Sequence, residues 1–192
     1  MNPVISLTQA LVRMQSVSKD SNKAISDFLQ KKLEEIGFDI ERLTYRDEND
    51  ELKVNLIAKL GDGEGGLALC SHSDTVPGQE DDWPAFDPVV KNGRLFGRGS
   101  CDMKGPLAAT MVAASQIDPT KLQKPIYIIV TSDEETGLHG AKFVAEHSER
   151  LKSDKPQYGI IAEPTTMIPI YSHKGGVQLT VVSHGIAAHS ST

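Results

Sequence analysis

The chain has 192 residues, a net charge of −6 and 39% hydrophobic residues. That is enough for one domain with a sizeable core. The acidic balance and the lack of a basic run argue against a nucleic-acid partner, and no apolar stretch reaches membrane-spanning length. Cys70 and Cys101 make no disulfide framework. The N-terminus carries no basic region followed by an apolar block, so a cytoplasmic location with no membrane partner is expected.

In chain order, residues 4–16 read as a helix. A second helix follows, capped by Asp20 or Ser21, with Ile25, Phe28, Leu29, Leu33 and Ile36 at spacings of three and four and Gly37 at its close. Phe38–Leu43 and Val54–Leu60 read as strands. The glycine-rich run 61–66 precedes another apolar strand rather than a helix, so it cannot be a phosphate loop. Its expected form is a hairpin turn. Leu67–Cys70 is a buried strand, and Gln79–Asp87 an acidic loop around the single tryptophan, Trp83. Arg94–Gly99 is a short strand, Pro106–Ile117 a helix, Pro125–Thr131 a buried strand, Leu138–Arg150 a helix and Tyr158–Ala162 a strand. Pro169–His173 and Val177–Ser183 are expected as further strands. The alternation predicts an α/β domain with a largely parallel mixed sheet flanked by helices.

Chemistry gathers where strands end. His72 and Asp74 follow the strand 67–70 two residues apart, and alternate residues of an extended chain point the same way. Asp102 lies 30 positions after His72, Glu134 lies 32 after Asp102, and Glu163 lies 28 after Glu135. A βαβ unit takes roughly 30 residues, so all of these fall at one sheet edge. Each has an ordinary reading alone: Asp102 as a helix N-cap, Glu134-Glu135 as a solvated loop, Glu163 as the residue before a turn-forming Pro164. Together they crowd several carboxylates around one imidazole, which a divalent cation relieves. Histidine with carboxylates suits zinc, with cobalt or manganese as substitutes, and so many donors suit two ions sharing a bridging carboxylate. Adjacent carboxylates diverge, so one of Glu134 and Glu135 can bind metal while the other acts as general base.

The segments SHSDTVP, GRGSCDMKG, TSDEETG, AEPT, HKG (173–175) and GIAAHSS, in this order, resemble the dinuclear zinc hydrolase family of acetylornithine deacetylase, succinyl-diaminopimelate desuccinylase and carboxypeptidase G. The resemblance runs from about His72 to the last residue. It implies that His72 and Glu163 hold one metal, Glu135 the other, and Asp102 both. Asp74 would orient His72, and Glu134 would be the general base. His189 would stabilise the oxyanion in the partner subunit of a homodimer. The resemblance also implies a cis Asp102–Met103 peptide. His139, His147 and His184 match no motif and read as ordinary helix or strand residues; His173 is ambiguous. Cys70 and Cys101 read as small packing residues. Residues 1–175 would be the N-terminal part of the catalytic domain and 176–192 the start of a lid, beyond which the family's last metal-binding histidine lies. The expected activity is metal-dependent hydrolysis of an N-acyl amino acid, closest to the acetylornithine type. Alternatives are the desuccinylase, a carboxypeptidase or dipeptidase of the same family, or a non-catalytic metal- or partner-binding fragment. Alone, the 192 residues are expected to be inactive.

Overall fold

The computed structural model describes residues 2–78, 83–172, 174–175, 179–182 and 184–185. Helix α1 spans Pro3–Arg13, opened by the Asn2 side chain, which accepts from the Val4 N–H at 2.9 Å, with proline at the first helical turn. Helix α2 spans Lys23–Ile36 and ends at Gly37, whose left-handed φ of 106° closes it as expected. Its Asn22 does not cap it. That buried amide instead bonds both backbone groups of Val54 at 2.8 Å and donates to Ser73 Oγ at 2.9 Å. The start of α2 is thereby tied to the strand that carries Val54 and to Ser73, just past the strand that ends at His72.

The strands are β1 (Asp39–Arg46), β2 (Leu52–Leu60), β3 (Leu67–His72), β4 (Val89–Lys91), β5 (Arg94–Phe96), β6 (Ile126–Thr131) and β7 (Tyr158–Ile161). The remaining helices are α3 (Lys104–Ser115), α4 (His139–His147) and α5 (Glu149–Ser153). β4 and β5 form a separate hairpin, and the other five strands make one mixed sheet in the order β1-β2-β6-β3-β7. β1 and β2, and β2 and β6, pair antiparallel; β3 pairs parallel with β6 and with β7. One face packs α1, α2 and α3 around Leu29, Leu56, Leu107, Met111 and Ile128. The other face carries Ile57, Tyr127 and Ile129 under Val144 of α4 and Leu151 of α5.

Three local expectations change. The run 61–66 is not a hairpin turn, because β6 inserts between β2 and β3. Tyr127, Ile128, Ile129 and Val130 are all at most 8% exposed. A strand apolar on both faces gains most in the sheet's centre. The connection therefore passes over the start of β6, where a Cβ on Gly66, at φ +89°, would overlap the Pro125 carbonyl oxygen. The helix expected over 138–150 is broken at Ser148, whose hydroxyl accepts from the Leu151 N–H at 3.0 Å and opens α5. Residues 169–172 and 179–182 form no strand, while residues 173, 177, 178 and 183 of those expected strands lie outside the described residues. Among the described residues no helix is long and apolar enough to cross a membrane.

Candidate metal centre

The parallel half of the sheet positions the centre. His72 is the last residue of β3, Glu134 and Glu135 follow the end of β6, Glu163 follows β7, and Asp102 precedes α3. Met103, not Asp102, occupies the cap position of α3, so Asp102 is free to face the other groups. The Asp102–Met103 peptide is cis.

His72 Nε2 lies 3.1 Å from Asp102 Oδ1, 3.7 Å from Glu163 Oε1 and 3.9 Å from Glu134 Oε2. Two sets of potential ligand atoms lie within 4.8 Å of one another: His72, Glu134 and Glu163, and His72, Asp102 and Glu135. The imidazole is 2% exposed, whereas the Asp102 side chain is 49% exposed, so the group opens to solvent on the carboxylate side. The other ring nitrogen, Nδ1, faces the Asp74 carbonyl oxygen at 2.9 Å and the Asp74 carboxylate at 3.4 Å. This leaves Nε2 turned toward the carboxylates.

Asp74 does more than face the imidazole. Its Oδ2 accepts from Ser18 Oγ at 2.6 Å and from the Glu135 N–H at 3.3 Å, and its Oδ1 accepts from the Glu134 N–H at 3.2 Å. Burial pushes this carboxyl up, but His72 and Ser18 more than offset that and hold it below the usual range. Burial pulls His72 down, yet Asp74, Glu163 and Glu134 outweigh it and raise the imidazole to about 9. Glu135 and Glu163 are both raised, first by burial and then, against the pull of His72, by the charge of Asp102 and neighbouring glutamates. On its Nε2 side the imidazole thus faces four carboxylates, Asp102, Glu134, Glu135 and Glu163, that repel each other. A nitrogen and several oxygens converging on one open locus suit divalent zinc, cobalt or manganese, so the donor set fits the expected ions.

The remaining candidates divide. His189 and His173 lie outside the described residues. Cys70 packs against the second core cluster as expected, but Cys101, in the loop before α3, is exposed. His147 closes α4 and stacks on Phe143 at 4.1 Å. The sequence reading missed Ser18, Tyr45, Lys53 and Asp133. The one local signal is a lysine at the start of a largely apolar strand that also carries Asn55 and Lys59.

The α/β fold is shared with solved structures of a dipeptidase and a metallo-carboxypeptidase. Human carnosine dipeptidase 1 superposes with a TM-score of 0.70 at 21% identity, over 82% of this chain and 38% of that one. The M20 family metallo-carboxypeptidase Sso-CP2 from Sulfolobus solfataricus gives 0.69 at 18% identity, over 84% and 37%. The chain belongs to peptidase family M20/M25/M40, whose pattern matches residues 68–182. Acetylornithine deacetylase from Proteus mirabilis is 38% identical over 97% of this chain and 49% of its own length. Acetylornithine deacetylase from Pasteurella multocida is 41% identical over 89% of this chain and 44% of its own. The chain therefore spans about half the length of these relatives.

Proposed function

We propose that this chain supplies most of the metal centre of an amide hydrolase that removes the acyl group from an N-acyl amino acid of the acetylornithine type. The observation that carries the reading is His72 Nε2 set among Asp102, Glu134 and Glu163 at the sheet edge, with Glu135 beside Asp102. The 38% identity to an acetylornithine deacetylase favours that substrate over a succinylated amino acid or a dipeptide.

In this reading His72 and Glu163 hold one ion, Glu135 the other, and Asp102 both. Two divalent cations, zinc by preference and cobalt or manganese as substitutes, would polarise the scissile carbonyl and acidify the attacking water. Glu134, one-third exposed, accepts the water's proton and returns it to the leaving amine. Asp74 keeps His72 Nδ1 and the amides of Glu134 and Glu135 fixed, so their donor atoms need little reorganisation. Residues 1–175 would serve as the catalytic part and 176–192 as the start of a lid. His189 would act across a homodimer, on the strength of the GIAAHSS motif. The two free cysteines favour a cytoplasmic setting.

The test is hydrolysis of N-acetylornithine, succinyl-diaminopimelate and dipeptides by the longest polypeptide that carries this sequence, with and without a chelator. Preferred hydrolysis of N-acetylornithine, lost on chelation and restored by zinc, is expected. No hydrolysis of any of them, or activity indifferent to the chelator, overturns the reading.

A further inference from the structure

Behind the carboxylates sits a cation that the reaction does not use. Lys53, at the start of β2, is 1% exposed. The antiparallel register of β2 and β6 pairs Leu56 with Val130, and three further steps bring Lys53 opposite Asp133. The register of β1 and β2 places Tyr45 on the other side of Lys53. An antiparallel strand thus begins at the edge where the parallel strands end.

The Lys53 ammonium gathers four acceptors from three separate loops. It donates to the Ser18 carbonyl at 2.5 Å and the Asp20 carbonyl at 3.0 Å, in the segment after α1. It lies 3.2 Å from Asp47 Oδ2 in the β1–β2 turn and 3.0 Å from Asp133 Oδ1 after β6. Tyr45 donates to the other Asp133 oxygen at 2.6 Å. Both ends of this linkage lead into the centre. Ser18 holds Asp74, which faces His72; Asp133, at φ +53°, is the residue directly before Glu134. A buried ion pair is weak evidence for stability, since an apolar pair of the same size serves as well; its best-attested use is to fix geometry.

We propose that Lys53 is a positioning residue of the metal centre, setting the separation between His72 and the glutamate pair by gripping Ser18 on one side and Asp133 on the other. This rests on the metal-dependent reading above. The test compares the longest polypeptide that carries this sequence, its Lys53→Met variant and its Lys53→Met/Asp133→Asn variant by zinc calorimetry, with circular dichroism and thermal melting on the same samples. The single variant leaves a buried aspartate uncompensated and melts lower. The double variant returns the cluster to its wild-type net charge at similar size, leaving only the partly exposed Asp47 charged, keeps the Tyr45 hydrogen bond and recovers the melting temperature. Both are expected to bind zinc about tenfold to a hundredfold more weakly than wild type, the loss typical when the partners behind metal-holding side chains are removed. If the single variant does not fold, the double variant decides. A double variant binding zinc within about twofold of wild type overturns the inference, because Lys53 would then serve the fold alone. Wild type that binds no zinc overturns the metal-dependent reading, and this inference with it.

Discussion

Asp74 Oδ1 accepts the backbone N–H of Glu134 at 3.2 Å, across 60 positions of sequence. The same carboxylate faces His72 Nδ1 at 3.4 Å, so one buried side chain sets both the imidazole and the glutamate loop. Replacing Asp74 by Asn turns one acceptor oxygen into a donor that cannot serve Ser18 and both amides together. We expect zinc affinity to fall about tenfold to a hundredfold and stability to fall by about 1–3 kcal/mol, read by calorimetry and urea unfolding. Unchanged affinity would show that the loop keeps its place without Asp74.

The two adjacent glutamates separate by role. In the longest polypeptide that carries this sequence, Glu134→Ala should lower turnover by roughly 10²–10⁴-fold with zinc content retained, whereas Glu135→Ala should lose zinc. Metal analysis beside single-turnover kinetics checks this. Zinc loss in Glu134→Ala with retention in Glu135→Ala would exchange the assignments, an outcome with a basis in the proximity of Glu134 to both His72 and Glu163.

Gly140, in the first turn of α4, donates its N–H to the Ser132 carbonyl at 3.1 Å. A Cβ there would overlap that carbonyl and the Asn55 amide oxygen, which itself accepts from the Ser132 N–H at 2.9 Å. Gly140→Ala must push α4 away from the turn that leads into Asp133–Glu135. A loss of about 1–3 kcal/mol is expected from the overpacking, with weaker zinc binding alongside. A melting temperature equal to wild type would contradict it.

Away from the centre, Asp154 forms an ion pair with Lys59 and accepts from the Tyr127 hydroxyl and the Gly65 N–H. Burial pushes the carboxyl up, but Lys59 and Tyr127 outweigh it and hold it below the usual range; Tyr127 is raised by burial and by Asp154. A lowered folded value means this contribution is fully present above about pH 4, the ordinary aspartate value, and is lost as pH falls through the folded value. Asp154→Asn should therefore cost about 1.5–3 kcal/mol at pH 7, and the difference should vanish as the two proteins are titrated to a pH below the lowered folded value. Parallel unfolding curves across that range would refute the assignment.

The parts of this molecule legible in the sequence are the local ones. Helices α1 and α2, the apolar core of β6 and the chemistry-bearing residues at strand ends follow from periodicity, Gly37 and the spacing of His72, Asp102, Glu134 and Glu163. Pairing is not local. Nothing near Gly61–Gly66 announces that β6, encoded some sixty residues later, separates the strands on either side. The same blindness hid Lys53, whose meaning depends on a register with Asp133, and Ser18, which reaches Asp74 across 56 positions. The break at Ser148 was readable, since serine followed by Glu149 is an ordinary helix start.

The insertion of β6 has a consequence for the order in which the protein assembles. β6 joins β2 at Leu56–Val130, 74 positions apart, and β3 at Leu67–Ile126, 59 apart. During synthesis both neighbours emerge before the strand that belongs between them. They run antiparallel to each other and are linked by a short glycine-rich segment, so a direct β2–β3 hairpin is the competing pairing, with far lower loop-closure entropy. In that trap the slot for β6, about 10 Å across in the native sheet, is closed, and His72 is stranded from Glu134 and Glu135. Where that hairpin forms first, native pairing must displace it, and the rate at which metal-binding competence appears on refolding then reports the seating of the central strand rather than the chemistry of its ligands.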